Sequence, residues 1–277
     1  MTTQKTFKVK NYAEYDAIDA INMSKLKDIK KSSYHFWANH LSPNKQKAKE
    51  TEALRFGTLC HKFVLEHKDF YNDYVIAPKF NKRTKIGQES YEQFVSQHPG
   101  KLFTDQEEIN VVTQMRAALM RKQASFVLFK DDAVYEQAMV WNDNGVACKA
   151  KLDLYIPPSK EYSNGIIVDY KTCQSAKVED FTKSAFNFGY HNSAAYYSKG
   201  FQQVFKTNGF PVFIFAAQEK EAPYETAFYT ADDAMLNFGL QENAVMLDLY
   251  KQCLTTKQWE GYQDEILPLS LPYWVNK

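Results

Sequence analysis

The chain has 277 residues, 44% of them hydrophobic, and a formal net charge of +1. That is enough apolar content for a full core, and no global basic excess marks it as a nucleic-acid binder, although a near-neutral enzyme can segregate its charges. No window of about eighteen apolar residues exists, which excludes a membrane-spanning helix, and Met1-Thr2-Thr3-Gln4-Lys5 leads into no apolar segment, so no secretory signal is expected. Cys60, Cys148, Cys173 and Cys253 lack Cys-x-x-Cys spacing and need not pair. They fit a reducing cytoplasm and argue against an iron–sulfur cluster.

In chain order, Ser24 is placed to cap a helix over 24–40, with Leu26, Ile29, Trp37 and Leu41 on its inner side and Pro43-Asn44 ending it. Lysines concentrate here, at Lys25, Lys27, Lys30, Lys31, Lys45, Lys47 and Lys49, a run that suits a solvated face as well as a phosphate-binding one. Thr51 begins a second helix, 51–67, carrying Arg55 and His61. Residues 72–78 read as a short strand, 85–97 as a helix, and 104–122 as a helix opened by the capping box Thr104-x-x-Glu107. Strands over 134–141 and 146–156 are joined by Asn142-Asp143-Asn144-Gly145, a strong hairpin turn. In the second of them Val146, Cys148, Ala150, Leu152 and Leu154 share one face, and Lys149, Lys151 and Asp153 the other. A strand over 165–172, helices over 178–188 and 192–205, strands over 211–218 and 224–229, and an amphipathic helix over 231–254 complete the pattern. With no repeat or linker, this is one domain over 1–277. Residues 1–122 are mainly helical, 123–230 form the core, and 231–277 are a helix and tail. The expected architecture is α/β, a central mixed β-sheet flanked by helices.

The richest segment is Gly165-Ile-Ile-Val-Asp-Tyr-Lys-Thr172, a buried strand that runs into charge. Asp169 and Lys171 are two apart and project together, and burying them costs several kcal/mol unless an ion pair, a metal or a phosphate compensates. Asp153 lies on the preceding strand, expected to be antiparallel to this one. Two carboxylates beside a lysine suit a divalent-metal phosphodiesterase site: oxygen ligands hold Mg²⁺, the ion acidifies a water, and the lysine steadies phosphate charge.

On these residues the chain resembles the PD-(D/E)XK nuclease superfamily, and within it the RecE-like exonucleases of phages and prophages. Lys151-Leu152-Asp153 stands where Arg-Pro-Asp is usual, Asp169-Tyr170-Lys171-Thr172 matches the Asp-x-Lys-Thr element, and Glu136 matches a glutamate on the strand before. The segment from Phe56-Gly57-Thr58 to His61 is similar to the helix that donates a metal-binding histidine. Residues 190–197 are similar to a helix reading Gln-x-x-x-Tyr, with Tyr197 kept and Ser193 in place of the glutamine. The resemblance implies that His61, Asp153, Asp169 and the Tyr170 carbonyl ligate Mg²⁺, with Mn²⁺ a plausible substitute, and that Lys171 and Glu136 join Asp153 and Asp169 in catalysis. Arg55, Lys151, Ser193 and Tyr197 would contact DNA phosphate. Glu136 also suits a strand-face carboxylate paired with Lys149 or Lys151. The implied activity is 5′-to-3′ resection of double-stranded DNA ends, leaving 3′ overhangs. A ring-shaped homo-oligomer (trimer or tetramer), a RecT-type single-strand annealing partner and a bacterial cytoplasm are implied with it. A structure-specific endonuclease, a single-strand exonuclease, and a catalytically silent DNA-binding or assembly protein are the alternatives.

Overall fold

The structure, a computed structural model, describes residues 5–9, 11–45, 51–272 and 275. Lys47 and Lys49 of the early lysine run, and Met1 to Gln4, lie outside the described residues.

Strand β1 (Lys5–Lys8) opens the chain, followed by α1 (Tyr12–Asp16), α2 (Met23–Leu26), α3 (Ser33–Phe36), α4 (Glu52–Leu65) and α5 (Phe70–Asp73). Next come β2 (Tyr74–Ile76), α6 (Lys85–Gln97), β3 (Leu102–Thr104) and α7 (Gln106–Met120). The sheet strands β4 (Val134–Asp143), β5 (Val146–Ile156) and β6 (Ile166–Cys173) follow. The chain continues through α8 (Val178–Asn187), α9 (Tyr190–Phe205), β7 (Val212–Glu219), β8 (Thr226–Thr230) and α10 (Asp233–Thr256). Six strands form one mixed sheet in the order β1-β4-β5-β6-β7-β8, in which only β6 and β7 run parallel. A parallel neighbour needs a crossover, and α8 with α9 supplies it. β2 and β3 pair separately. This is the α/β arrangement expected.

Helices cover both faces of the sheet. On one, α9, α10 and α2 bury Tyr196, Phe201, Met246 and Leu26 against Trp141, Ile167 and Phe215. On the other, α4 and α7 bury Leu59, Val64, Val112 and Met115 against Leu154, Val168 and Tyr170. Helices α9 and α10 approach closely because Gly239 has no side chain; a Cβ there would lie 2.3 Å from the His191 carbonyl oxygen.

Four expectations are corrected. The helix expected over 24–40 is a broken series, capped by Asn22 rather than Ser24 and restarted at Ser32, whose extended backbone and side-chain bond to the His35 N–H begin a new turn. Its inner residues are Leu26, Ile29 and Phe36, whereas Leu41 is exposed. The helix expected from Thr104 begins at Gln106, because Asp105 accepts the Glu108 N–H while Thr104 pairs with Ile76 in β3. Leu154 does not share a core with Cys148, Ala150 and Leu152, since it packs on the α4–α7 side. The strand alternation breaks between Leu152 and Leu154, where Glu136 on β4 takes a left-handed backbone (φ 51°) and the ladder skips the Glu136–Asp153 position. Finally, α9 starts at Tyr190 rather than 192, after left-handed Gly189. The edge strand β1 was not foreseen.

Candidate active site

The site lies where the sheet opens. Strands β5 and β6 pair from Ile156↔Ile166 to Leu154↔Val168, and there the ladder ends. The next residues are Asp153 and Asp169. In place of a ladder bond, the Tyr170 N–H donates to Asp153 Oδ2 at 2.9 Å. Thr51 accepts the Leu54 N–H and so fixes the start of α4, which brings His61 over this opening. Its Nδ1 lies 3.4 Å from Asp153 Oδ1, and its ring meets the Tyr170 ring edge-on at 5.1 Å.

His61, Glu136 and Asp153 each present a ligand atom within 4.8 Å of the others. Glu136 takes its place through the left-handed turn in β4, and its carboxylate pairs with Lys151. Lys149, the other candidate partner, is buried elsewhere and donates to the carbonyls of Tyr15, Asp16 and Ile18. Asp169 is buried, and Lys171 Nζ lies 2.7 Å from its Oδ2 as an ion pair without hydrogen-bond alignment. Lys171 also sits 5.5 Å from the centre of the Tyr190 ring on α9.

Electrostatics separate the carboxyls. Burial favours the neutral acid, but the His61 charge and hydrogen bond, Lys171 and the Tyr170 N–H hold Asp153 far below the usual carboxylate range. Burial pushes Asp169 up, and Asp153 adds to this, against the pull of Lys171. Glu136 is also pushed up by burial, against Lys151. Burial lowers His61, but Asp153 outweighs it and the imidazole is raised. Burial likewise opposes charge on Lys171, and Asp169 and Asp153 outweigh it. Carboxylates crowded at a break in a sheet oppose one another's charge, and a cation relieves all of them at once.

The donor set fits a divalent cation. One imidazole and two carboxylates converge within 4.8 Å, and beside them stands the buried Asp169, whose Oδ2 has the Lys171 ammonium at 2.7 Å as its neighbour. Oxygen donors suit Mg²⁺, and the imidazole suits Mn²⁺ better.

The residues named from the sequence are thus partly gathered. His61, Glu136 and Asp153 converge, with Asp169 and Lys171 as an adjoining pair. Ser193 accepts a hydrogen bond from Lys27 at 3.1 Å. The Tyr197 hydroxyl is pushed well up by burial and then by the Asp169 charge, with Ser193 pulling the other way. Arg55 does not point to this group; its guanidinium forms a two-pronged ion pair with Glu108, which also accepts from Thr104. Tyr196 and Phe201 are core. Lys27 and Tyr190 were not singled out as site neighbours. Lys27 stands 166 positions from Ser193, and no spacing signal joins them.

An Asp-hairpin-Asp-x-Lys element where two central strands of a mixed sheet part, between helical layers, defines a PDDEXK-like fold. Residues 22–267 match the family described as "PDDEXK-like domain of unknown function (DUF3799)", and the chain belongs to that family. The crystal structure of a candidate exonuclease from Eubacterium rectale aligns with 98% of this chain and 97% of its own at 15% identity, with a TM-score of 0.63, so the two share a fold. The protein SSO0001 aligns with 69% of this chain and 84% of its own at 17% identity; its TM-score of 0.29 is too low to bear on the fold. No curated protein matches the sequence.

Proposed function

We propose that this protein is a metal-dependent deoxyribonuclease of RecE type, degrading double-stranded DNA from 5′ ends to leave 3′ overhangs. The observation that carries the proposal is the convergence of His61, Glu136 and Asp153 beside the Asp169–Lys171 pair. The PDDEXK-like family and the exonuclease description of the Eubacterium rectale fold relative support it. In this reading the domain spans the whole of 1–277, with 1–122 supplying His61.

His61, Asp153, Asp169 and the Tyr170 carbonyl would hold Mg²⁺ or Mn²⁺, with Glu136 close enough to join. A divalent cation, when bound, supplies Lewis-acid polarisation of the phosphodiester and a more acidic water. Asp153 stays ionised and takes the Tyr170 N–H, which fixes the carboxylate plane. Asp169, paired with Lys171, would be among the groups holding the ion, and Lys171 would steady charge on the scissile phosphate or the attacking water. Glu136 orients against Lys151, leaving one carboxylate oxygen for the site. Tyr197 donates toward phosphate. Arg55 is committed to Glu108, so in this reading it anchors α4 rather than DNA. The RecE resemblance extends the proposal to a ring-shaped homo-oligomer around the duplex, a RecT-type annealing partner and a bacterial cytoplasm.

The test is to incubate the protein with 5′-phosphorylated linear duplex and Mg²⁺, alongside Asp169→Ala. Degradation of the linear duplex by the wild type alone is expected, with closed circular DNA left whole. No degradation, or equal degradation by both proteins, sinks the proposal.

A further inference from the structure

Lys27 differs from most lysines near it; Lys149 and Lys45 also have only neutral acceptors, all of them carbonyls, but Lys27 in addition faces the Lys171 charge. In the same stretch Lys25, Lys30 and Lys31 pair with Asp16, Glu242 and Asp28, and in the site Lys151 and Lys171 pair with Glu136 and Asp169. Lys27 has neutral acceptors: the Phe188 carbonyl oxygen at 3.0 Å and Ser193 Oγ at 3.1 Å. Among the described residues no carboxylate lies within ion-pair distance of its ammonium. It is half-buried all the same, and burial followed by the Lys171 charge brings it down to about 8, with Asp169 pulling the other way.

Such a placement is costly. A cation partly removed from water, facing a like charge and lacking an anion, destabilises the fold relative to an apolar side chain of similar length. The local structure nevertheless accommodates it. Gly189 turns left-handed between α8 and α9, and a Cβ there would press Lys27 Cε at 3.2 Å. Ser193 is short and offers only a hydroxyl at the position where the resemblance leads one to expect a glutamine. Phe188 beside it is 64% exposed, so the corner is open to a large partner. An anion beside Lys27 would offset both its charge and that of Lys171.

We propose that Lys27 grips a backbone phosphate of the DNA strand next to the one cleaved, reaching across from the segment after α2 to the start of α9. This rests on the nuclease reading above and makes Lys27 a substrate-contacting residue at the edge of that site. A phosphate there accepts from the ammonium and lets Phe188 and Ser193 remain as guides for its direction.

The experiment measures duplex binding by fluorescence anisotropy in Ca²⁺ across a salt series, for the wild type, Lys27→Met, Lys27→Arg and Lys30→Met. Lys27→Met is expected to weaken binding about tenfold and to reduce the slope of log affinity against log salt by about one. Lys27→Arg keeps the slope, and so does Lys30→Met, whose lysine is carboxylate-paired. In Mg²⁺, Lys27→Met loses more in KM than in kcat. Wild-type affinity and slope in Lys27→Met overturn the inference and leave the nuclease reading standing. Equal losses in Lys27→Met and Lys27→Arg, with lowered Tm in both, also overturn it, because they assign the residue to packing. A wild type that binds duplex without cleaving it overturns the nuclease reading alone. One that does not bind duplex overturns both.

Discussion

The β4–β5 hairpin carries acid–lysine pairs at both ends, and the two ends are built differently. At the turn, Asp143 is buried, Lys199 contacts both its oxygens at 2.8 Å, and the ladder is complete through Asp143↔Val146. Asn144 and Gly145 take the positive φ values that such a turn requires, so backbone and charges are both satisfied. At the open end Glu136 is left-handed in the middle of a strand, the ladder skips a position, and Glu136 and Asp153 crowd around His61, with Lys151 on Glu136 and the Asp169–Lys171 pair adjoining. One carboxylate facing one cation in an intact ladder is a structural device. Several carboxylates where the ladder fails raise one another's cost of ionisation, and a backbone held in a sparse conformation locks them together. That is the layout the proposed cation site requires.

Substitutions at the two ends should therefore separate activity from stability. The largest effect is expected for Asp153→Asn, with turnover falling about 10³-fold as several kcal/mol of ligand and orientation are lost. Its melting temperature should move by roughly 4 °C or less, since the amide oxygen can still accept the Tyr170 N–H. Initial rates and a thermal melt check both, and a large fall in Tm with activity retained would reverse the assignment. Lys199→Met at the turn should do the opposite. Leaving Asp143 buried without its partner costs about 2 kcal/mol, read by denaturant titration, while the rate per folded molecule stays at the wild-type value. Loss of rate there would mean that the turn end belongs to the site.

The smallest expected effect is a pH test on a third charged group, at the α9–α10 seam. Burial works against ionised Glu242, but hydrogen bonds from Lys30, Asn192 and His191 outweigh it and hold the carboxyl down to about 2. Because the folded value lies below the unfolded one, its stabilisation is complete above pH 4.5 and drains away as pH falls from there toward 2. Glu242→Gln should cost about 1 kcal/mol near neutrality. The gap from the wild type should close on acidification, as read by thermal melts at several pH values. A gap that widens toward low pH would show the seam to be held otherwise.

Much of this was legible in the sequence wherever a local pattern and the packing agree. The hairpin follows from Asn142-Asp143-Asn144-Gly145 between alternating strands, β6 from its apolar run, and α4 from the Thr51 cap. The broken series over 23–41 was not, because Asn22 and Ser32 are both competent caps and periodicity alone cannot say that the chain restarts. The capping box at Thr104 was outcompeted by Asp105 one residue later. Asp153, Asp169, Lys171, Glu136 and His61 could be named from their motif context. Their meeting depends on where the β5–β6 ladder stops, and hydrophobic alternation carries no trace of the left-handed turn at Glu136 that breaks it. Lys27 was one lysine in a run, and its placement, on Phe188 and Ser193 beside the Lys171 charge with no carboxylate partner among the described residues, exists only in three dimensions.

The central claim is that the open end of the hairpin is a cation site, and the most direct measurement is anomalous diffraction from crystals soaked in Mn²⁺. A peak ligated by His61, Asp153 and Asp169, lost in Asp153→Asn crystals soaked in the same way, is the expected result. No peak at this position in well-soaked wild-type crystals, or one unchanged by Asp153→Asn, would contradict the account.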